Sequence, residues 1–197
     1  EERKELMSAA SRVPAIALVT KKISERRLSA HSVLRTATRA AHDAVDAAYS
    51  RWNLADRADY ADFLLAHARA FLPAEAALAA SGLANNQSRS SLLISDLADL
   101  GMAPPAPRPL TFNNDDELLG GAYVLEGSRL GGAVLRRSVG QDLPTRFLAP
   151  PTAPGHWRTF LQMLEHSLIS DVQRSQAVAG AHKVFDRFLR AALAPTG

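Results

Sequence analysis

Six histidines are the residues best suited to metal or acid–base chemistry in this chain: His31, His42, His67, His156, His166 and His182. Cysteine is absent, which removes disulfides, thiolate metal sites, iron–sulfur clusters and cysteine nucleophiles. No histidine has Asp or Glu three positions before it, the spacing that di-metal carboxylate bundles use, and the His-x-x-x-His spacing of zinc proteases is absent too. His42, within LRTATRAAHDAVD, has a more suggestive setting. Asp46 lies one helical turn later on the same face and can accept the ring's second N–H, which fixes tautomer and orientation in a metal-bound imidazole. Arg35 lies two turns earlier on nearly the same face, where a cation can meet a ligand carboxylate. His182 has a similar neighbour in Asp186, with Lys183 beside it. A histidine taken singly is more often a surface or satisfied core residue than a ligand, and these residues alone leave His42 as a structural or solvated histidine.

Glycine supplies the second lead. Five of the eleven glycines crowd into DDELLGGAYVLEGSRLGGAVL: Gly120, Gly121, Gly127, Gly131 and Gly132. An interior glycine costs a helix about 1 kcal/mol relative to alanine, so the cluster costs roughly 4–5 kcal/mol, which something should offset. Gly120, Gly127 and Gly131 share one face, and Gly121, Ser128 and Gly132 line the next stripe. Such a helix lets a flat ligand approach its backbone, and equally lets a second helix cross closely. On pattern alone the two readings stand level.

The elements that must position these residues read as all-α. Prolines gather at 104–109 and 144–154, leaving 15–103 (interrupted only by Pro73), 110–143 and 155–194 nearly free of breakers and rich in Ala, Leu, Arg and Glu. The pattern predicts helices near 29–52, 57–81, 89–100, 115–138, 155–172 and 174–193, with Ser29 as an N-cap, Pro73 bending the second helix, and Gly82 and Gly101 as stop signals. The length of 197 residues suits one domain, placed at 29–194, preceded by an arm at 1–28. A net charge of +3 and a pI near 9.6 are too balanced to point to nucleic acid. The longest apolar run, VPAIALV at 13–19, is far short of the roughly 20 residues that span a bilayer. Its charged flanks make a poor signal peptide. The expectation is a cytoplasmic protein with no membrane or nucleic-acid partner.

Two segments together resemble the haem oxygenase family, in its bacterial biliverdin-producing, bacteriophytochrome-associated branch. LRTATRAAHDAVD is similar to the family's Thr-x-x-x-His-x-x-x-acid helix, matched by Thr38, His42 and Asp46, and GAYVLEGSRLGG looks like its glycine-rich distal helix. DYADFLLAHARAFLPAEAAL, SLLISDLADLG, HWRTFLQMLE and GAHKVFDRFL agree more weakly, so that the resemblance covers about residues 31–193.

The resemblance implies a single-domain helical fold with haem between a proximal and a distal helix. His42 would be the axial iron ligand, with Asp46 as acceptor behind it. Gly127, Ser128, Gly131 and Gly132 would cover the opposite face, with Gly127, Ser128 and Gly131 forming the catalytic set and Ser128 holding ordered water. Arg35 and Tyr123 match positions that contact haem propionates. The family cleaves haem b, both substrate and cofactor, at a meso carbon with O2 and external electrons, giving biliverdin, CO and ferrous iron. A sequence with little side chain over one haem face suits that chemistry, since the protein mainly positions the group and shapes the space beside it.

Two residues depart from the family pattern. Arg129 stands where a smaller residue is expected and should face away from the pocket, and Asp46 is shorter than the usual glutamate, so a water is expected to bridge it to the ring. The implied electron donor is of ferredoxin or flavodoxin type, drawn to a basic patch for which Arg136, Arg137, Lys183, Arg187 and Arg190 are candidates; the implied biliverdin acceptor is a bacteriophytochrome. A catalytically weak haem sensor or carrier, and a haem-free helical interaction module, are the competing readings.

Overall fold

Six α-helices form among the described residues, 28–82 and 88–195 of the computed structural model, and no strand occurs there. They are α1 (Ala30–Tyr49), α2 (Arg57–Ala80), α3 (Ser90–Asp99), α4 (Asp115–Leu135), α5 (His156–Ser167) and α6 (Asp171–Leu193), and a 3-10 turn at Arg136–Ser138 follows α4. The arm placed at 1–28 lies outside the described residues except for Leu28.

Local chemistry sets the helix ends. The Ser29 hydroxyl accepts from the Ser32 N–H and opens α1, as expected. Asn114 caps α4 by accepting from the Glu117 N–H, and Asp115, Asp116 and Glu117 put three carboxylates in the first turn, where the helix dipole favours them. Gly82 and Gly101 stop their helices in the left-handed conformation, at φ 77° and 78°.

Four expected boundaries shift by three residues or more. α1 ends at Tyr49 rather than at 52, because the chain turns there to bury Trp52 against Tyr49 and Phe63. The last three residues of the expected 115–138 helix tighten into the 3-10 turn. The expected 155–172 helix ends at Ser167, and the last helix begins at Asp171 rather than 174. The cause is a capping box in which Ser170 accepts from the Gln173 N–H and Gln173 accepts from the Ser170 N–H.

The last helix, α6, forms the hub, packed against α4, α1 and α2. Gly120 of α4 faces the Ala177 carbonyl of α6, and Gly180 of α6 faces the Glu117 carbonyl of α4, each at a place where a side chain would strike backbone. Part of the glycine cluster therefore serves the close helix crossing. α2 is long and apolar enough to span a membrane by length and composition, yet Tyr60, Phe63, Leu64 and Phe71 bury it in the core, and it runs through Pro73. A strap at 144–149 crosses the core edge: the Tyr60 hydroxyl donates to the Pro144 carbonyl at 2.7 Å, and Phe147 and Leu148 are fully buried.

Candidate functional site

α1 and α4 face each other across a cleft of about 750 Å³, within the roughly 300–1,000 Å³ range of small-molecule sites. All eight residues singled out in the sequence border it: Arg35, His42 and Asp46 from α1, and Tyr123, Gly127, Ser128, Gly131 and Gly132 from α4.

On the α1 side, His42 Nδ1 lies 3.2 Å from Asp46 Oδ2. The carboxylate thus reaches the ring directly, where a bridging water was expected. Because a carboxylate accepts, Nδ1 carries the proton and Nε2 keeps its lone pair for a metal. The His42 ring is 58% exposed, with Phe185 of α6 edge-on at 5.9 Å. The N-terminus of α1 is held from another element, since Glu165 of α5 accepts from the Ala30 and His31 N–H groups at 2.9 and 3.0 Å. At that end of the cleft Tyr123 and His31 are 6.0 Å apart between ring centres. Burial pushes the Tyr123 hydroxyl above its usual range, against the pull of the Arg35 charge.

The α4 side shows how the glycines divide. Gly131 has open space where a side chain would be, and Gly127 has only the Trp157 ring at contact distance, 3.6 Å. A side chain at Gly121 would strike Phe112 at 2.6 Å, and one at Gly132 would strike the Leu148 carbonyl at 2.7 Å. Gly127 and Gly131 therefore leave room for a ligand, Gly120 and Gly121 leave room for packing, and Gly132 borders the cleft while admitting the strap.

The Ser128 hydroxyl is engaged twice: it donates to the Leu125 carbonyl at 2.7 Å and accepts from Arg89 Nη1 at 2.8 Å. Arg129, as expected, turns to the other side of α4. There its Nε bonds Glu126 Oε2 at 2.8 Å, and His156 Nε2 meets the same oxygen at 2.6 Å, on the wall of a second cavity of about 550 Å³.

Two cleft residues escaped the sequence reading. Arg89, just before α3, is 2% exposed and lies between the rings of Phe71 and Phe147, at 4.8 and 4.5 Å. Burial, then the Arg129 charge, lowers its pKa to about 10, so it stays cationic at neutral pH. His67 of α2 lies among Tyr49, Phe63, Phe147 and Phe188. Its Nδ1 is 3.0 Å from the Phe63 carbonyl, which can only accept, so Nε2 is again the bare nitrogen. Burial above all, with help from the Arg89 charge, pushes its pKa down to about 4 against the opposing Phe63 bond. Position 67 carried no partner at a telling spacing, and Arg89 meets Ser128 across 39 residues, so local pattern gave no signal for either.

Of the five arginines and lysines expected to form a basic patch, three have intramolecular partners. Lys183 bonds Glu117 at 2.6 Å and Arg190 pairs with Asp186 at 2.9 Å, while Arg187 donates to the carbonyls of Arg69, Arg108 and Pro109. Arg136 and Arg137 are exposed beside the cleft-lining Leu135. Among the described residues no cluster of three metal-ligating side chains occurs.

Fold and cleft together define an α-helical protein with a cofactor-sized gap between a histidine-bearing helix and a glycine-rich one. This is the haem oxygenase fold, and the chain is related in sequence to proteins of that name. It is 34% identical over 106 residues to a heme oxygenase of Xanthomonas campestris pv. campestris (strain 8004), a match spanning 51% of this chain and 64% of the relative. It is 33% identical over 118 residues to Heme oxygenase PigA of Pseudomonas aeruginosa, spanning 54% and 59%. The chain thus matches about three-fifths of the length of these curated relatives. A solved heme oxygenase of Neisseria meningitidis, in NO- and CO-bound forms, superposes with a TM-score of 0.72 at 24% identity, covering 84% of this chain and 91% of that one. No protein-family model matches the sequence.

Proposed function

We propose that the protein is a haem oxygenase, cleaving haem b at a meso carbon with O2 and external electrons to biliverdin, CO and ferrous iron. One observation carries this reading: His42, oriented by Asp46, lines one wall of the cleft, and the side-chain-free stretch at Gly127 and Gly131 lines the other. The residues present fit the group, because a Cβ at Gly131 would project into the space the porphyrin needs. Haem, when bound, supplies the iron that activates oxygen and the ring that is oxidised.

The chain's own residues hold and position. His42 Nε2 would hold the haem iron, and Asp46, accepting from Nδ1–H, would fix the ring's tautomer and orientation. Arg35 and Tyr123 meet the propionates at one end of the cleft. Ser128, whose proton is committed to Leu125, offers its remaining lone pair to an ordered water. Bare His67 Nε2 offers a second acceptor on the same side as Arg89. Among the described residues lining the cleft, the carboxylates are Asp43 and Asp46, both on α1 rather than on that side.

The electron donor is of ferredoxin or flavodoxin type. Of the five candidate cations, Arg136 and Arg137 are the pair left to steer it, since Lys183, Arg187 and Arg190 are already engaged. The setting is cytoplasmic, which a chain without cysteine tolerates, and a bacteriophytochrome would consume the biliverdin.

Hemin added to the protein should give a Soret band that His42→Ala removes, and ascorbate or reduced ferredoxin should then yield biliverdin. Hemin binding without biliverdin would leave a haem carrier or sensor. No His42-dependent band would leave a haem-free helical module.

A further inference from the structure

We propose that Asp96 is a positioning residue for the distal wall of the cleft, acting through the strap at 144–149 and Arg89 on Ser128. The inference deepens the haem-binding reading and rests on it.

Asp96 of α3 is fully buried, at 0% exposure. Its Oδ1 accepts from Arg146 Nη1 at 2.8 Å and its Oδ2 from the Phe147 N–H at 2.8 Å, while Arg146 reaches out with Nη2 to Asp99 at 2.6 Å. The carboxylate therefore fixes the backbone of Phe147 from inside the fold. The carbonyl of that residue accepts from Arg89 Nη2 at 3.3 Å, and its ring lies 4.5 Å from the guanidinium. Arg89 Nη1 in turn holds Ser128 Oγ at 2.8 Å and the Leu125 carbonyl at 3.2 Å. One residue further along the strap, the Leu148 carbonyl fills the place of the missing Gly132 side chain. The strap anchored by Asp96 thus meets the glycine helix at two points, through Arg89 to Ser128 and directly at Gly132.

Arg89 depends on this anchorage. Its Nε is buried with no hydrogen-bond partner, so the other end of the guanidinium carries all its side-chain hydrogen bonds. A buried ion pair is often matched in stability by apolar residues of similar volume. An apolar residue at 96, however, could not direct the Phe147 N–H.

The test uses the full chain and two readouts. In the hemin complex, the midpoint of the acid–alkaline change in the visible spectrum reports charge near the distal face. The charged or titratable groups facing Arg89 are Arg129 and Glu126 from α4 and Glu75 and His67 from α2. Asp96→Asn keeps the volume and one acceptor but loses the ion pair to Arg146. If Arg89 then withdraws, the midpoint moves up by roughly half a pH unit or more, because a cation favours the alkaline form. Loss of the Asp96 charge alone would move it down, so the direction separates positioning from simple electrostatics. Asp99→Asn, which touches Arg146 but not Phe147, should leave the midpoint in place.

In the haem-free protein, amide exchange at 144–149 should speed up about tenfold in Asp96→Asn. If that variant does not fold, Arg146→Gln, at a half-exposed side chain, should give smaller changes in the same directions. A wild-type midpoint or a downward shift, or unchanged exchange at Phe147, would overturn the proposal. Failure of the wild-type protein to bind hemin would instead sink the haem reading, and the exchange result would still decide whether Asp96 holds the strap.

Discussion

His67 is an unusual residue to find beside a ligand cleft, since its ring is boxed in by four aromatic side chains and its charge state is fixed by them. Its pKa of about 4 in the fold lies below the unfolded value of 6.5. The unfolded chain therefore binds more protons between those two values, and folding stability falls as pH drops through that window. Its contribution is complete above pH 6.5 and is lost progressively toward pH 4, with an upper size of about 3 kcal/mol from the shift. Urea unfolding of the haem-free protein at pH 7, 5.5 and 4.5 should show this decline, and His67→Phe should flatten it. An equal slope in the variant would mean that carboxylates, not His67, carry the acid sensitivity. At neutral pH the same burial keeps Nε2 an acceptor, the state a water on the distal side requires.

Among the elements, α4 answers two demands along one surface, and its glycines separate when each is tested alone. Gly120 faces the Ala177 carbonyl at the crossing with α6, so Gly120→Ala must force two helix backbones apart. It should cost about 1–3 kcal/mol, the usual range for overpacking, or more because the obstacle is backbone. Gly131 faces open cleft, so Gly131→Ala should raise the stability of the haem-free protein by up to about 1 kcal/mol through helix propensity while weakening hemin binding. Thermal melts and hemin titrations of the two variants check both signs, and a destabilising Gly131→Ala would show that the cleft narrows there in solution.

The sequence could announce that such a helix exists, because Asn114, the acidic first turn and the dense glycines are all local. It could not say which glycine meets α6 and which meets a ligand, because that depends on α6 lying against one stripe. The same distinction runs through the rest of the molecule. Ser29, Gly82 and Gly101 are legible as caps, and the Ser170–Gln173 box is an equally local signal. His42 with Asp46 was legible because one helical turn joins them. Arg89, Asp96 and Phe147 were not, since their bonds span 36 to 58 residues and only the folded chain brings them together.

At the scale of the whole molecule, the two walls of the cleft share α6 and differ in what else supports them. α1 is held by Glu165 of α5 and packs on α6, and α4 crosses α6 and leans on the strap. The walls already meet through α6, through α5 and at the His31–Tyr123 ring contact, and a ligand gripping both would add a further link across the cleft. Binding to the folded state alone stabilises it by mass action, by about 2.7 kcal/mol when free ligand is 100-fold above Kd. For a chain of this size each kcal/mol moves Tm by roughly 2–4 °C, so hemin at that excess should raise Tm by about 5–11 °C. His42→Ala removes the grip on one wall and should forfeit most of the rise, whereas the exposed pair Arg136→Ala and Arg137→Ala should keep it, being placed to meet a donor rather than the haem. A rise that survives His42→Ala would mean that hemin is stabilising the protein from somewhere other than the cleft between α1 and α4.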